Sequence, residues 1–129
     1  MNAPDAAELA RTEPPLSSPA SERAARQAQV VAALRPVLPA HALLWQHEDT
    51  VPYECDGLTA YRQLPMAVAL PENEAQVAAV LKACHALGVP VVARGAGTGL
   101  WGGAMPHQRG VTLSLAKFNK IGLIDRAAR

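Results

Sequence analysis

Large apolar side chains are almost missing from the first eighteen positions, which are mostly Ala, Glu, Pro and Ser. Such a stretch cannot bury enough surface to offset the entropy of ordering it, so a disordered tail is predicted over residues 1–18. Beyond it Val30, Val31, Leu34, Val37 and Leu38 recur at helical spacing. Ser18 is a good N-cap and Pro19 suits the first helical position. These signals predict a helix from Pro19 to Leu34 or Val37, with Pro36 ending or bending it. Ala42–Trp45 is a short apolar run, and residues 46–63 have mixed polarity and read as a loop with one helical turn.

The next stretch has the clearest pattern. Met66-Ala67-Val68-Ala69-Leu70, closed by Pro71, reads as a buried strand. Asn73 is a helix cap with Gln76 as its capping-box partner. Val77, Val80, Leu81, Cys84 and Leu87 then fall on one helical face. Gly88 stands where a left-handed C-terminal cap is wanted. Val89-Pro90-Val91-Val92-Ala93 reads as a second strand, so strand, helix and strand form a right-handed βαβ unit with parallel strands. Residues 111–115 predict a third strand and Ile121-Gly122-Leu123-Ile124 a fourth. The implied fold class is α+β, a βαβ start to a small mixed sheet. The implied organisation is a tail at 1–18, a helical segment at 19–50 and the opening part of a larger domain at 51–129, with a sheet begun but unfinished.

Composition narrows the classes. Aromatic residues make up 4% of the 129 residues, and much of the apolar half is alanine, so a core built from this chain alone is marginal. A net charge of +1 argues against a dedicated nucleic-acid binder. Residues 1–50 carry four Lys/Arg against six Asp/Glu, and residues 51–129 carry eight against five. This mild positive excess suits an anionic small ligand. Cys55 and Cys84 form no disulfide framework or zinc pattern and read as reduced, partly buried thiols of a cytoplasmic protein. No signal peptide and no membrane span of about 18 apolar residues is expected.

Five of the nine glycines fall in Arg94-Gly95-Ala96-Gly97-Thr98-Gly99-Leu100-Trp101-Gly102-Gly103. Without Cβ atoms, successive peptides can turn their N–H groups toward one anion and let it approach closely. A P-loop is excluded, because no Lys-Ser/Thr follows the last glycine. Gly97-Thr98-Gly99-Leu100-Trp101-Gly102 matches the dinucleotide fingerprint G-x-G-x-x-G literally, but that fingerprint must open a helix. Here Pro106 and a β-run follow. The third reading is a strand–loop–strand pyrophosphate loop, which is favoured over a merely tight connection because the glycines are so dense between two strands.

In that form the glycine segment, placed after a hydrophobic βαβ unit, resembles the FAD-binding domain of the vanillyl-alcohol oxidase/PCMH superfamily. Tyr53-Glu54-Cys55-Asp56-Gly57-Leu58-Thr59-Ala60-Tyr61 narrows the resemblance to the FAD subunits of bacterial glycolate oxidases, with the D-lactate dehydrogenases of the superfamily close by. The resemblance spans about residues 28–125. It implies flavin-dependent oxidation of a 2-hydroxy acid, with FAD as cofactor and a second FAD-domain subunit and an iron–sulfur subunit as partners. It also implies that Arg94, Gly95, Ala96, Gly97, Thr98 and Gly99 bind the FAD pyrophosphate, and that Gly102 and Gly103 let the chain pass close to the cofactor. Thr98 stands where some relatives carry a flavin-linking histidine, which implies non-covalent FAD. Relatives are much longer chains. The groups that bind the 2-hydroxy acid and take its proton are therefore expected beyond Arg129, and no catalytic or metal-binding residue is assigned within this sequence. A D-lactate dehydrogenase fragment and a truncated product without activity remain as alternatives.

The other chemically versatile residues have simpler readings. Arg94 is either a phosphate contact or a surface charge, and Trp101 either shields the flavin or packs on the sheet, with packing favoured. Glu54 and Asp56 serve as caps or solvated charges, and Cys55 is a small buried side chain. His41, His47, His85 and His107 share no spacing that suggests a site, and His85 faces solvent.

Overall fold

The computed structural model describes residues 18–128. The predicted tail therefore lies outside the described residues except for Ser18. Helix α1 runs Pro19–Leu34, and the Ser18 hydroxyl accepts the Ser21 N–H at 3.2 Å. Its inward stripe is Val30, Val31 and Leu34, all buried. Each such side chain contributes about 1.5–3 kcal/mol by leaving water. A 3₁₀ turn at Ala40–Ala42 leads into strand β1, Leu43–Leu44. The mixed-polarity stretch after it holds a single-turn helix α2, His47–Thr50, and a 3₁₀ turn at Val51–Tyr53. Strand β2 is Ala67–Ala69, helix α3 is Glu74–Ala86, strand β3 is Val91–Arg94 and strand β4 is Val111–Ser114.

Sheet order is β1-β2-β4-β3. β1 lies antiparallel on β2, with Leu43 opposite Ala69. β2 and β3 both run parallel to β4. The predicted parallel pair is thus present, but β4 is inserted between its members. Every residue of β2 and β4 is buried, as expected of strands covered on both faces, while β3 is an edge strand and only partly covered. The core joins the α1 stripe, Leu38, Met66 to Leu70, Val80, Cys84, Val111 and Leu113.

The caps of α3 form largely as the sequence implies. Asn73 Oδ1 accepts the Gln76 N–H at 3.0 Å, and Gly88 takes φ +62° just past the helix. The Gln76 side chain reaches one residue further back than a capping box requires, accepting the Glu72 N–H at 2.7 Å.

Two sequence expectations fail here. Ile121–Ile124 forms no strand, and Ile121, Leu123 and Ile124 stand exposed. An apolar run becomes a strand only when a ladder partner accepts its backbone, and among the described residues none pairs with it. Leu81 is also exposed, because the buried stripe of α3 is centred on Val80 and Cys84 and the residue after Val80 turns about 100° away from it.

The sheet has two chemically distinct edges. The three parallel strands all begin on one side and end on the other. The glycine segment leaves β3 at the carboxyl edge, and residues 95–110 carry the chain back to the amino edge without a helix.

Candidate functional site

Ligands of open parallel sheets bind outside the carboxyl ends of the strands. The chain places Gly95 to Gly103 there. Gly97 and Gly102 take φ of +72° and +75°, conformations that L side chains rarely adopt. Among the described residues, the backbone N–H groups of Gly95, Ala96, Gly97, Thr98 and Gly99 make no hydrogen bond. Five successive donors are therefore open to an acceptor. Nothing lies within 4 Å of the position a Cβ would take at Gly95, Gly99, Gly102 or Gly103. A diphosphate needs several donors and unobstructed backbone, and this arrangement fits that need. The same edge holds a cavity of about 480 Å³ lined by Glu72, Lys117, Phe118, Asn119 and Lys120.

The underside of the loop is closed. The Arg94 guanidinium lies where a Gly97 Cβ would fall. Its Nη1 donates to the Cys55 carbonyl at 2.6 Å, and its carbon sits 5.5 Å from the centre of the Tyr53 ring. Gly57 fits against the loop from the same side, and a Cβ there would come within 2.7 Å of the Thr98 oxygen and 2.8 Å of the Gly99 oxygen. Asp56 is only 4% exposed. One of its carboxylate oxygens accepts the Leu58 N–H at 2.9 Å, and the other has no partner among the described residues.

The residues singled out from sequence are thus partly united. Arg94 through Gly99 form one turn, and Gly102 opens a second in which the Met105 N–H donates to the Gly102 oxygen at 3.1 Å. Between them Trp101 is 95% exposed. The expectation that it packs on the sheet is wrong, because nothing covers the ring. Glu54 pairs with Arg62 at 2.5 Å, while Asp56 caps a turn but is buried. Cys55 is half-buried and Cys84 fully so, and burial raises the Cys84 thiol above its ordinary value. What sequence reasoning missed is that Tyr53, Asp56 and Gly57 lie under the glycine loop. Asp-Gly is a turn signal, and a turn whose glycine has no replacement was the available clue.

The histidines are dispersed. His41 Nε2 lies 2.8 Å from Glu72, an exposed contact that lowers the Glu72 carboxyl, chiefly through its hydrogen bond. His107 Nδ1 accepts the Arg109 N–H at 3.1 Å, and His85 is exposed. Among the described residues no cluster of His, Cys, Asp and Glu could hold a metal ion, and no helix is long and apolar enough to cross a membrane.

At the opposite edge lies a cavity of about 490 Å³ lined in part by Arg23, Arg26, Gln108 and Arg109. Two of its arginines are already engaged. Arg23 donates to the carbonyls of Gln108, Leu64 and Pro65, and Arg26 to that of Leu87 and to the Gln29 side chain. That edge is charged, and its Arg23 and Arg26 donors close the fold's own loops, while the exposed Arg109 guanidinium makes no hydrogen bond among the described residues.

Known proteins resemble the chain over part of its length. The glycolate oxidase subunit GlcD of Escherichia coli is 52% identical over 100 residues, covering 78% of this chain and 20% of the relative. A D-lactate dehydrogenase of Archaeoglobus fulgidus is 43% identical over 54 residues, covering 42% and 12%. Among solved structures, p-cresol methylhydroxylase with substrate bound superposes with a TM-score of 0.66 at 30% identity, covering 78% of this chain and 20% of that one. The chain thus spans about a fifth, or less, of the length of these relatives. The FAD binding domain model matches residues 65–129, which contain three of the four strands and the entire glycine loop. The chain therefore belongs to the FAD binding domain family, and FAD is the cofactor of that family.

Proposed function

We propose that residues 51–129 form the first part of the flavin-binding domain of a 2-hydroxy-acid oxidoreductase acting on glycolate, and that residues 19–50, which add α1 to its core and β1 to its sheet, fold with it rather than as a separate helical segment. In this reading the N–H groups of Gly95, Ala96, Gly97, Thr98 and Gly99 hold the FAD pyrophosphate. The Thr98 hydroxyl adds a donor, Arg94 anchors the base of the loop, and Gly102 and Gly103 admit close passage of the chain. The observation that carries the reading is the run of five open backbone donors at the carboxyl edge of a parallel sheet.

FAD, when bound, accepts the two electrons removed from the 2-hydroxy acid, and the protein's share is binding, orientation and exclusion of water. This chain's residues supply the first of these. The substrate pocket and the group that takes the substrate's proton are assigned to sequence the relatives have beyond the matched region. FAD binding is non-covalent in this proposal, since a threonine rather than a nucleophilic ring stands at position 98. A second FAD-domain subunit, an iron–sulfur subunit and a cytoplasmic setting complete it. The likeness to the archaeal D-lactate dehydrogenase supports D-lactate as the second reading of the substrate. Glycolate-dependent dye reduction by this chain alone is expected to be undetectable under either.

The test is a fluorescence titration of the chain with FAD. Gly99 has open space at its Cβ position and no positive φ, so Gly99→Asp should fold normally while setting a carboxylate among the phosphate donors. Saturable binding by the wild type, weakened roughly 100-fold by Gly99→Asp at unchanged melting temperature, is the expected result. Equal binding by both would end the proposal.

A further inference from the structure

We infer that the segment from Tyr53 to Leu58 is a brace that sets the shape of the glycine loop, and that Arg94 acts through this brace as a positioning residue. The inference rests on reading the loop as the pyrophosphate cradle.

Three contacts carry it. The Arg94 guanidinium is held below the loop by the Cys55 carbonyl at 2.6 Å and by the face of Tyr53 at 5.5 Å. It fills the place of a Gly97 side chain, and its hydrogen bond goes to the Cys55 carbonyl rather than to the loop, whose own backbone donors stay without an acceptor. Gly57 then meets the Thr98 and Gly99 carbonyl oxygens so closely that no larger residue fits without moving the loop's backbone. With these carbonyls held against the brace, the Gly99 and Leu100 N–H groups of the same two peptides cannot rotate freely, because each peptide is a rigid plane, while Arg94 holds the other end of the loop.

The brace is itself anchored. Asp56 locks the turn through Leu58 N–H, the Gln63 N–H donates to the Glu54 carbonyl at 2.7 Å, and Glu54 pairs with Arg62. A loop of small residues would otherwise sample many shapes, and ordering it on binding would weaken affinity. The brace does that ordering beforehand, from a segment some forty residues earlier in the chain.

NMR relaxation of the ligand-free chain and FAD titration at two salt concentrations test this, using Gly57→Ala and Arg94→Gln. Both variants should lower the order parameters of residues 95–99 to below about 0.6 while α1 and α3 keep rigid values. Both should raise the FAD Kd about tenfold, with its salt dependence as in the wild type. Should Gly57→Ala fail to fold, Arg94→Gln decides alone, since it shortens a partly buried side chain without adding bulk. Unchanged loop order in the folded variants would overturn the brace. So would an affinity loss on Arg94→Gln with unchanged order and a flattened salt dependence, the signature of direct phosphate contact. A wild type that binds no FAD would refute the cradle reading, while the order parameters would still judge the brace.

Discussion

The two edges of the parallel sheet both carry arginine, yet they do opposite things with it. At the amino edge Arg23 and Arg26 donate to carbonyls that precede the strands, so cationic donors meet the fold's own acceptors. At the carboxyl edge Arg94 also donates to a carbonyl, but the loop above it leaves five backbone donors open. The larger arginine cluster is therefore at the edge without the site. What sets the carboxyl edge apart is a run of successive backbone donors that the fold does not use, and charge alone does not reveal that.

The comparison can be broken most severely at Gly97. A Cβ there must adopt φ near +72° and would strike the Arg94 guanidinium. Gly97→Ala is expected to lower stability by about 1–2 kcal/mol and to cut FAD affinity at least tenfold, read by thermal melting and fluorescence titration. A smaller effect, of the contrary kind, is expected at the other edge. Arg23→Ala leaves the Leu64, Pro65 and Gln108 carbonyls without their donor. Since this arginine is largely exposed, about 1 kcal/mol of stability should be lost, with FAD affinity unchanged. If Arg23→Ala weakened FAD binding, the two edges would not be functionally separate.

The mildest change acts on both edges at once through α3, which links them. The folded Cys84 thiol titrates above its ordinary value of 9.0 because it is buried. The unfolded chain therefore loses this proton first, and stability present below pH 9 declines as pH rises beyond it. Melting temperatures from pH 8 to 10.5 should show a fall that is reduced in Cys84→Ala, while the difference between wild type and Arg23→Ala stays constant.

Local signals in the sequence reached much of this. The Ser18 and Asn73 caps, the Gly88 stop and the apolar stripes belong to single elements, and they appear where periodicity puts them. The glycine loop was legible as backbone chemistry for the same reason. Facts depending on distant partners were not legible. Nothing in Val111–Ser114 says that it enters between β2 and β3, and nothing in Ile121–Ile124 says that its ladder is missing. Tyr53 and Gly57 were visible as a signature, but their place under the loop is a matter of packing across the sheet.

The insertion of β4 also fixes an order of assembly. As the chain is synthesised, β2, α3 and β3 emerge first, and they leave a strand-wide gap with two unpaired edges. Only after residues 95–110 have looped back can β4 close it, a non-local pairing that slows folding and keeps those edges open to other strands meanwhile. The loop ends that β4 pins are fixed in the same event. In the proposed function, the cradle at the loop takes shape together with the hydrogen bonds of β4, so that an intermediate stalled before that pairing would carry no half-formed cradle.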